Sequence, residues 1–298
     1  IIRSNLPCFA LATCTGYDRL LPENMFKSTE YANDIISYLR TTKVETTRFR
    51  DYMTTIQKEI NPSMRSILVD WLVEVADEYS LTSETLFLTL NYLDRYLGLK
   101  LVKRNRLQLV GITCMLVASK YEEIYAPQVD DFCYITDNTY TRDDILLMER
   151  DILDALRFEL TQPTARQFLK YLTSLCGADS DLESLATYFI ELTLLDYSFL
   201  SYCPSVVASS ALVLAHFTSE RVLSDVGFQK CSYYSPLEIK GCVKELNKHH
   251  QRIQNGPKLA VVEKYSKSKY ENVASFSPIS GSLQEKWDFL EKSFEGLD

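Results

Sequence analysis

The apolar positions of residues 64–76 recur at helical spacing, yet they cover more of the helix surface than one core-facing stripe needs. Met64, Ile67, Leu68, Trp71 and Val75 follow the i, i+3, i+4, i+7 pattern, and Val69, Leu72, Val73 and Ala76 widen it. Such a helix either lies centrally in a bundle or leaves part of its face as a docking surface. Asn61 is its cap and Pro62 its first residue, and the pattern runs to about Tyr79. A second helix begins at Thr82 or Ser83, repeats Leu86, Leu90, Leu93 and Leu97, and stops at Gly98. A third spans about Arg104 to Glu123. Its small residues Gly111, Thr113, Cys114, Ala118 and Ser119 admit neighbours closely on several sides, which makes it the predicted central helix. A fourth runs from Thr141 to Leu156, with Thr141 and Asp144 spaced as a capping box.

Residues 207–215 have the character of the third helix about a hundred residues later, and a Leu-Asp pair precedes each: Leu93-Asp94 and Leu195-Asp196. Two copies of one helical unit fit this spacing, with Pro163 at the junction. The second copy reads as helices near 164–175, 181–199, 204–219 and 235–253, with a fifth at Leu259 to Lys267. Ser235 and Pro236 are a cap and a first residue. Outside the copies, Ser28 or Thr29 starts a short helix with Tyr31, Ile35, Tyr38 and Leu39 on one face. Polar residues 41–60 isolate it, so it must dock on the body or on a partner. Residues 275–282 are rich in Ser, Gly and Pro, and Leu283, Trp287, Leu290 and Phe294 form a last stripe whose packing the pattern leaves open. With nine glycines and no hairpin signal, the chain reads as almost entirely α-helical.

At 298 residues the chain suits two domains. Its net charge of −8 is spread among lysines and arginines, which weighs against tight nucleic-acid binding or a polybasic membrane anchor and favours protein partners. The longest apolar run, Leu109 to Ala118, falls short of the ~20 residues of a membrane span. Residue 1 is Ile and no signal-peptide pattern follows, so an N-terminal region is expected to be missing. Eight cysteines without a CxxC pair read as reduced, mostly buried thiols, and Cys242 with His249 and His250 is too small a set for zinc. Patterns for nucleotide cradling, zinc peptidases and elbow serines are absent. Asp130-Asp131 and Asp143-Asp144 fail the aspartate-rich pattern that holds magnesium diphosphate, and the second pair sits in a helix first turn. Taken alone, Lys120 is a lysine well placed against a helix dipole and Glu149 is a surface residue.

Met64-Arg-Ser-Ile-Leu-Val-Asp-Trp-Leu-Val-Glu-Val75 and Ala118-Ser-Lys-Tyr-Glu-Glu-Ile-Tyr125 closely resemble the cyclin box, and the resemblance covers about residues 28–270. Residues 72–79 and 132–140 look like A-type cyclins of plants. Ser66 stands where alanine is usual and Tyr121 where phenylalanine is common. The resemblance implies an all-α chain of two tandem five-helix cyclin folds with an extra N-terminal helix. The divisions are an N-terminal segment with a docking helix (1–60), an N-terminal cyclin box (61–160), a C-terminal cyclin fold (161–268) and a tail (269–298). It implies a non-catalytic subunit that binds and allosterically activates a cyclin-dependent serine/threonine kinase, drives cell-cycle progression, and works in the nucleus with shuttling to the cytoplasm. No cofactor, metal, direct nucleic-acid contact or membrane contact is expected.

By the same resemblance, Lys120 and Glu149 match the Lys-Glu pair that grips the kinase αC helix. Tyr121, Leu153, Phe158 and Leu160 match the surrounding apolar contacts, and Tyr31, Ile35 and Tyr38 match those of the N-terminal helix. Met64, Ile67, Leu68 and Trp71, with Leu107 and Gln108, match a patch that docks Arg-x-Leu substrates and inhibitors. Asp70 or Glu74 lies where it can meet the arginine, while Met64, Leu68, Trp71 and Leu107 are expected to stay open to the peptide. Arg3 to Leu6 fits a bare RxxL destruction signal, for which chance is the better account, and Ser277-Pro278 is a candidate for phosphorylation. Two other classes compete: a cyclin-box transcription factor would want a basic surface and a zinc ribbon, and a helical isoprenoid enzyme would want intact aspartate motifs.

Overall fold

The computed structural model describes residues 38–39, 51–221, 223, 227–229, 232–279 and 283–295, and no strand occurs among them. The first unit comprises α1 (Pro62–Glu78), α2 (Ser83–Leu97), α3 (Leu107–Glu122), α4 (Val129–Ile135) and α5 (Arg142–Ala155). The second comprises α6 (Ala165–Cys176), α7 (Ser180–Leu195), α8 (Pro204–Thr218), α9 (Pro236–Gln254) and α10 (Ala260–Tyr265), and α11 (Leu283–Glu295) follows. Short-range chemistry starts these helices where the sequence predicts. Asn61 accepts the Met64 N–H at 2.9 Å, Thr82 caps α2, and Thr141 and Asp144 close a capping box. Ser235 and Glu238 do the same for α9.

The two central helices are α3 and α8, buried on nearly every side. Gly111 explains how close α1 comes to α3: a Cβ there would stand 2.9 Å from the Leu68 methyl carbons. Three expectations need correction. α4 was not foreseen, because seven residues are too few for a periodic signal and only its Gln128–Asp131 capping box marks it. The expected helix over 181–199 breaks at Asp196, which is extended and turns its carboxylate to the Ser198 N–H at 2.9 Å, so that a 3₁₀ turn, Tyr197–Ser201, follows. Residues 52–60 are no polar spacer: Tyr52, Met53, Gln57 and Ile60 are buried, and Gln57 binds Leu97 O, Lys100 O and the Val102 N–H.

Buried polar groups join the two units. Arg65 on α1 donates bidentately to Asp94 on α2, both bonds at 2.7 Å, and its third donor reaches Leu194 O on α7. Glu191 on α7, wholly buried, accepts from Ser83, Lys264 and Tyr265 at 2.8 to 2.9 Å. The last stripe also packs. Trp287 and Leu290 of α11 are buried, the Trp287 ring meets Phe217 of α8 edge-on at 6.0 Å, and Lys286 donates to Phe217 O.

Candidate functional site

The C-terminal end of α3 and the face of α5 form the first candidate surface. Lys120 lies in the last turn of α3, where a cation suits the helix dipole, and its Nζ meets Glu149 Oε1 of α5 at 2.6 Å. The Lys120 side chain is 45% exposed and that of Glu149 15%, so the pair is open on the lysine side and sheltered on the carboxylate side. Around it Tyr121 is exposed with its hydroxyl 2.7 Å from Thr161 Oγ1, and Leu153 and Leu160 are half-buried. Phe158 stands 65% exposed on a turn in which both Arg157 and Phe158 have positive φ, at 55° and 57°. Such backbone is costly for non-glycine residues and persists only where neighbours hold it. Here Phe158 N–H bonds Leu153 O at 3.0 Å, Arg95 binds Glu159 O at 2.7 Å, and the Tyr92 hydroxyl binds Leu160 O at 3.1 Å.

Two residues at this surface escaped the sequence reading. Ile124 and Tyr125, 89% and 92% exposed, project from the loop after α3. Their signal was two apolar residues between the Glu122-Glu123 helix end and Pro127. Glu123 holds that loop, since its Oε1 accepts the Thr82 N–H at 2.8 Å and the Thr85 hydroxyl at 2.5 Å. Tyr31 and Ile35 lie outside the described residues. Tyr38 is exposed, whereas Leu39 packs against the core.

The second surface comprises residues of α1 and of the start of α3. Ile67 is 71% exposed, Met64, Trp71 and Gln108 are half-buried, and Glu74 is exposed. The expectation that Leu68 and Leu107 stay open is corrected: both are buried, Leu68 because it fills the space over Gly111. Asp70 is corrected too. Its Oδ1 accepts the Ala260 N–H at 2.9 Å, satisfying a free donor at the start of α10, which leaves Glu74 as the carboxylate facing solvent.

Burial shifts the carboxyls that link the units. Glu84 of α2 is pushed up to about 7, chiefly by burial, against the lowering effect of the Thr164 hydroxyl bonded to it at 2.5 Å, and Glu122 adds like-charge repulsion. Burial raises Asp70 and Glu122 as well, with neighbouring Glu123 contributing to the latter. A cavity of about 140 Å³ lies between the units, lined by Arg65, Asn91, Asp94, Arg95, Leu200 and Tyr202 among others, and it shares no residue with either surface. Among the described residues no group of three or more His, Cys, Asp or Glu is arranged to hold a metal, and no helix is long and apolar enough to cross a membrane. Asp130 pairs with Arg142 at 2.8 Å, while Asp131 and Asp144 complete capping boxes.

Residues 34–161 match the family model described as "Cyclin, N-terminal domain", and residues 163–279 match "Cyclin, C-terminal domain". The chain is 46% identical over 251 residues to "Cyclin-A1-1" of Arabidopsis thaliana, covering 82% of this chain and 55% of that protein. It is 49% identical over 253 residues to "Cyclin-A1-1" of Oryza sativa subsp. japonica, with 82% and 49% covered. It is 44% identical over 260 residues to "Putative cyclin-A3-1" of Arabidopsis thaliana, with 85% and 73% covered. The chain thus spans about half the length of the first two. Among solved structures, a viral cyclin from herpesvirus saimiri superposes with a TM-score of 0.65 at 21% identity, covering 72% of this chain and 96% of its own. A chain of the yeast RNA Pol II CTD kinase CTDK-1 complex gives 0.54 at 13% identity, with 84% and 82% covered. These two likenesses concern the fold alone.

Proposed function

The chain belongs to the cyclin family, with plant A-type cyclins as relatives at 43% to 49% identity, and on that footing we propose that it binds and allosterically activates a cyclin-dependent serine/threonine kinase without catalysing a reaction itself. The observation that carries this reading is the Lys120–Glu149 pair at 2.6 Å, with the exposed Tyr121, Ile124 and Tyr125 following Lys120 in the chain and the exposed Phe158 following α5. A lysine with donors to spare beside a sheltered carboxylate suits the polar backbone at a helix end, and the aromatic rim suits an apolar helix face. A kinase needs its αC-helix glutamate turned in to pair with a strand lysine before phosphates are held correctly. A cyclin that binds only that state supplies the bias, and moving the equilibrium from about 1:99 to 99:1 takes roughly 5.5 kcal/mol of preference.

The patch of Met64, Ile67, Trp71, Gln108 and Glu74 is read as the docking place for Arg-x-Leu segments of substrates and inhibitors, with Glu74 receiving the arginine. Work in the nucleus, with shuttling to the cytoplasm, in driving cell-cycle progression belongs to the same proposal. Adding the chain to a monomeric cyclin-dependent kinase and following phosphate transfer to a histone-type substrate tests the first part. Strong activation is expected, and a kinase as inactive with the chain as without it would overturn the reading. For the second part, Trp71→Ala is expected to leave histone turnover intact and to slow substrates bearing Arg-x-Leu. Equal loss on both would mean misfolding instead.

A further inference from the structure

The cavity between the units takes its apolar lining from both of them: Phe87 and Leu90 from α2, Phe199 and Leu200 from the 3₁₀ turn Tyr197–Ser201, and Val207 from α8. Its volume is about 140 Å³, and it is partly open to solvent. An apolar cavity of about 150 Å³ holds a ring the size of benzene.

Most of the polar lining is already engaged. Arg65 and Asp94 bind each other, and Asp94 also accepts the Tyr52 hydroxyl at 2.7 Å. Arg95 donates to Glu159 O at 2.7 Å. The hydroxyls of Thr164, Thr193 and Tyr202 donate to Glu84, Ile190 O and Glu245. Asn91 differs: its carboxamide oxygen is buried and accepts no hydrogen bond from any described residue. A buried acceptor without a donor is costly, so the lining selects a ligand that brings an N–H or O–H. A charged ligand would give up its hydration for groups already paired, which favours a neutral one.

We propose that this cavity is a ligand site for a neutral small molecule of the phenol class, one ring with one hydrogen-bond donor, the donor meeting Asn91 Oδ1, and that its occupancy tightens kinase binding. Arg95, in the lining, holds Glu159 O, and Tyr92, three residues before it on α2, holds Leu160 O at 3.1 Å. Both bonds end in the turn that presents Phe158. A ligand packed on Arg95 in this position favours the turn as it stands, and a coupling of this kind is reciprocal between the two sites. The coupling rests on the kinase-binding reading of that surface, whereas the ligand site does not.

Isothermal titration of the full chain with phenol, toluene and benzoate tests the site. Phenol is expected to bind saturably at one site, about five- to tenfold more tightly than toluene, the ratio one hydrogen bond supplies, and more tightly than benzoate. In Asn91→Leu, phenol should lose its advantage while toluene still binds, which also reports that the variant is folded. In Leu200→Trp, which fills the cavity, neither should bind. Phenol binding no better than toluene, benzoate binding as well as phenol, or phenol binding undiminished in Leu200→Trp would overturn the site. For the coupling, the affinity of a monomeric cyclin-dependent kinase for the chain is measured with and without saturating phenol. A tightening of about fivefold is expected, absent in Leu200→Trp. An unchanged affinity would overturn the coupling while the site stands. A chain that binds no kinase at all would overturn the kinase reading and the coupling with it, and the titrations would still decide the site.

Discussion

Lys120 and Arg65 illustrate how the setting of a charge decides its worth. Lys120 is half open to water, so its pair with Glu149 contributes little to folding, within the 0 to ~1 kcal/mol of surface pairs. Lys120→Ala should therefore leave the unfolding midpoint nearly unchanged while weakening kinase association by about 2 to 5 kcal/mol, because the kinase would desolvate what is left. Calorimetry that finds the reverse order of effects would remove Lys120 from the interface. Arg65 is the opposite case, fully buried on Asp94 and Leu194 O. Arg65→Ala should cost about 3 to 5 kcal/mol in urea unfolding, and Arg65→Met with Asp94→Leu should cost less than the single change, since no charge is then stranded. Glu84 adds a pH dependence. Its folded-state value of about 7 lies above the ordinary 4.5, so the folded chain binds the extra proton between those values and stability falls as pH rises through that window. Glu84→Gln should raise stability at pH 8 by roughly 1 to 3 kcal/mol and have little effect at pH 4.5, with equal effects at both pH values counting against this account. The roles of Arg65 and Glu84 were not legible in the sequence, where both look like ordinary surface charges on amphipathic helices.

Helices were legible wherever they carried three or more turns and a local cap. Asn61-Pro62, Thr82, the Thr141/Asp144 box and Ser235-Pro236 all start helices in the structure, because a cap is a contact between residues three apart. α4 was not legible because its two turns are too short to display a period, and Asp196 breaks α7 through a bond that only the folded turn reveals. The final stripe gave a period without an address. Trp287 settles it by packing on Phe217, so Trp287→Ala should lower the stability of the fold by about 3 to 5 kcal/mol. Kinase activation measured well below the melting temperature should persist, because α11 shares no residue with the Lys120 surface.

At the scale of the whole molecule, the two units are joined by buried polar bonds as well as apolar contact. Ser83 on α2 reaches Glu191, Arg65 reaches Leu194 O, and Asp70 caps α10. Such joints leave buried groups unsatisfied if one unit opens alone, at about 1 to 3 kcal/mol each. The units are therefore expected to unfold together. Trp71 lies in the first and Trp287 in the second, so Trp71→Phe and Trp287→Phe variants each leave one reporter. After allowing for each variant's own change in stability, fluorescence and circular dichroism should give coincident denaturation midpoints in each. A fluorescence transition separated from the backbone transition in either variant would show that the units melt independently.

The order and most bounds of the helices, the duplication and the resemblance to cyclins were written in the sequence, because period, caps and motif are properties of neighbouring residues. Tertiary structure alone decided which apolar residues of the 64–75 helix remain at the surface. Leu68 and Ile67 are adjacent and equally apolar, yet Leu68 closes over Gly111 and Ile67 stands in solvent. Asp70 and Glu74 are equally acidic, yet one is spent on Ala260. Burial and partnership depend on groups tens to hundreds of residues away, and local pattern does not carry that information.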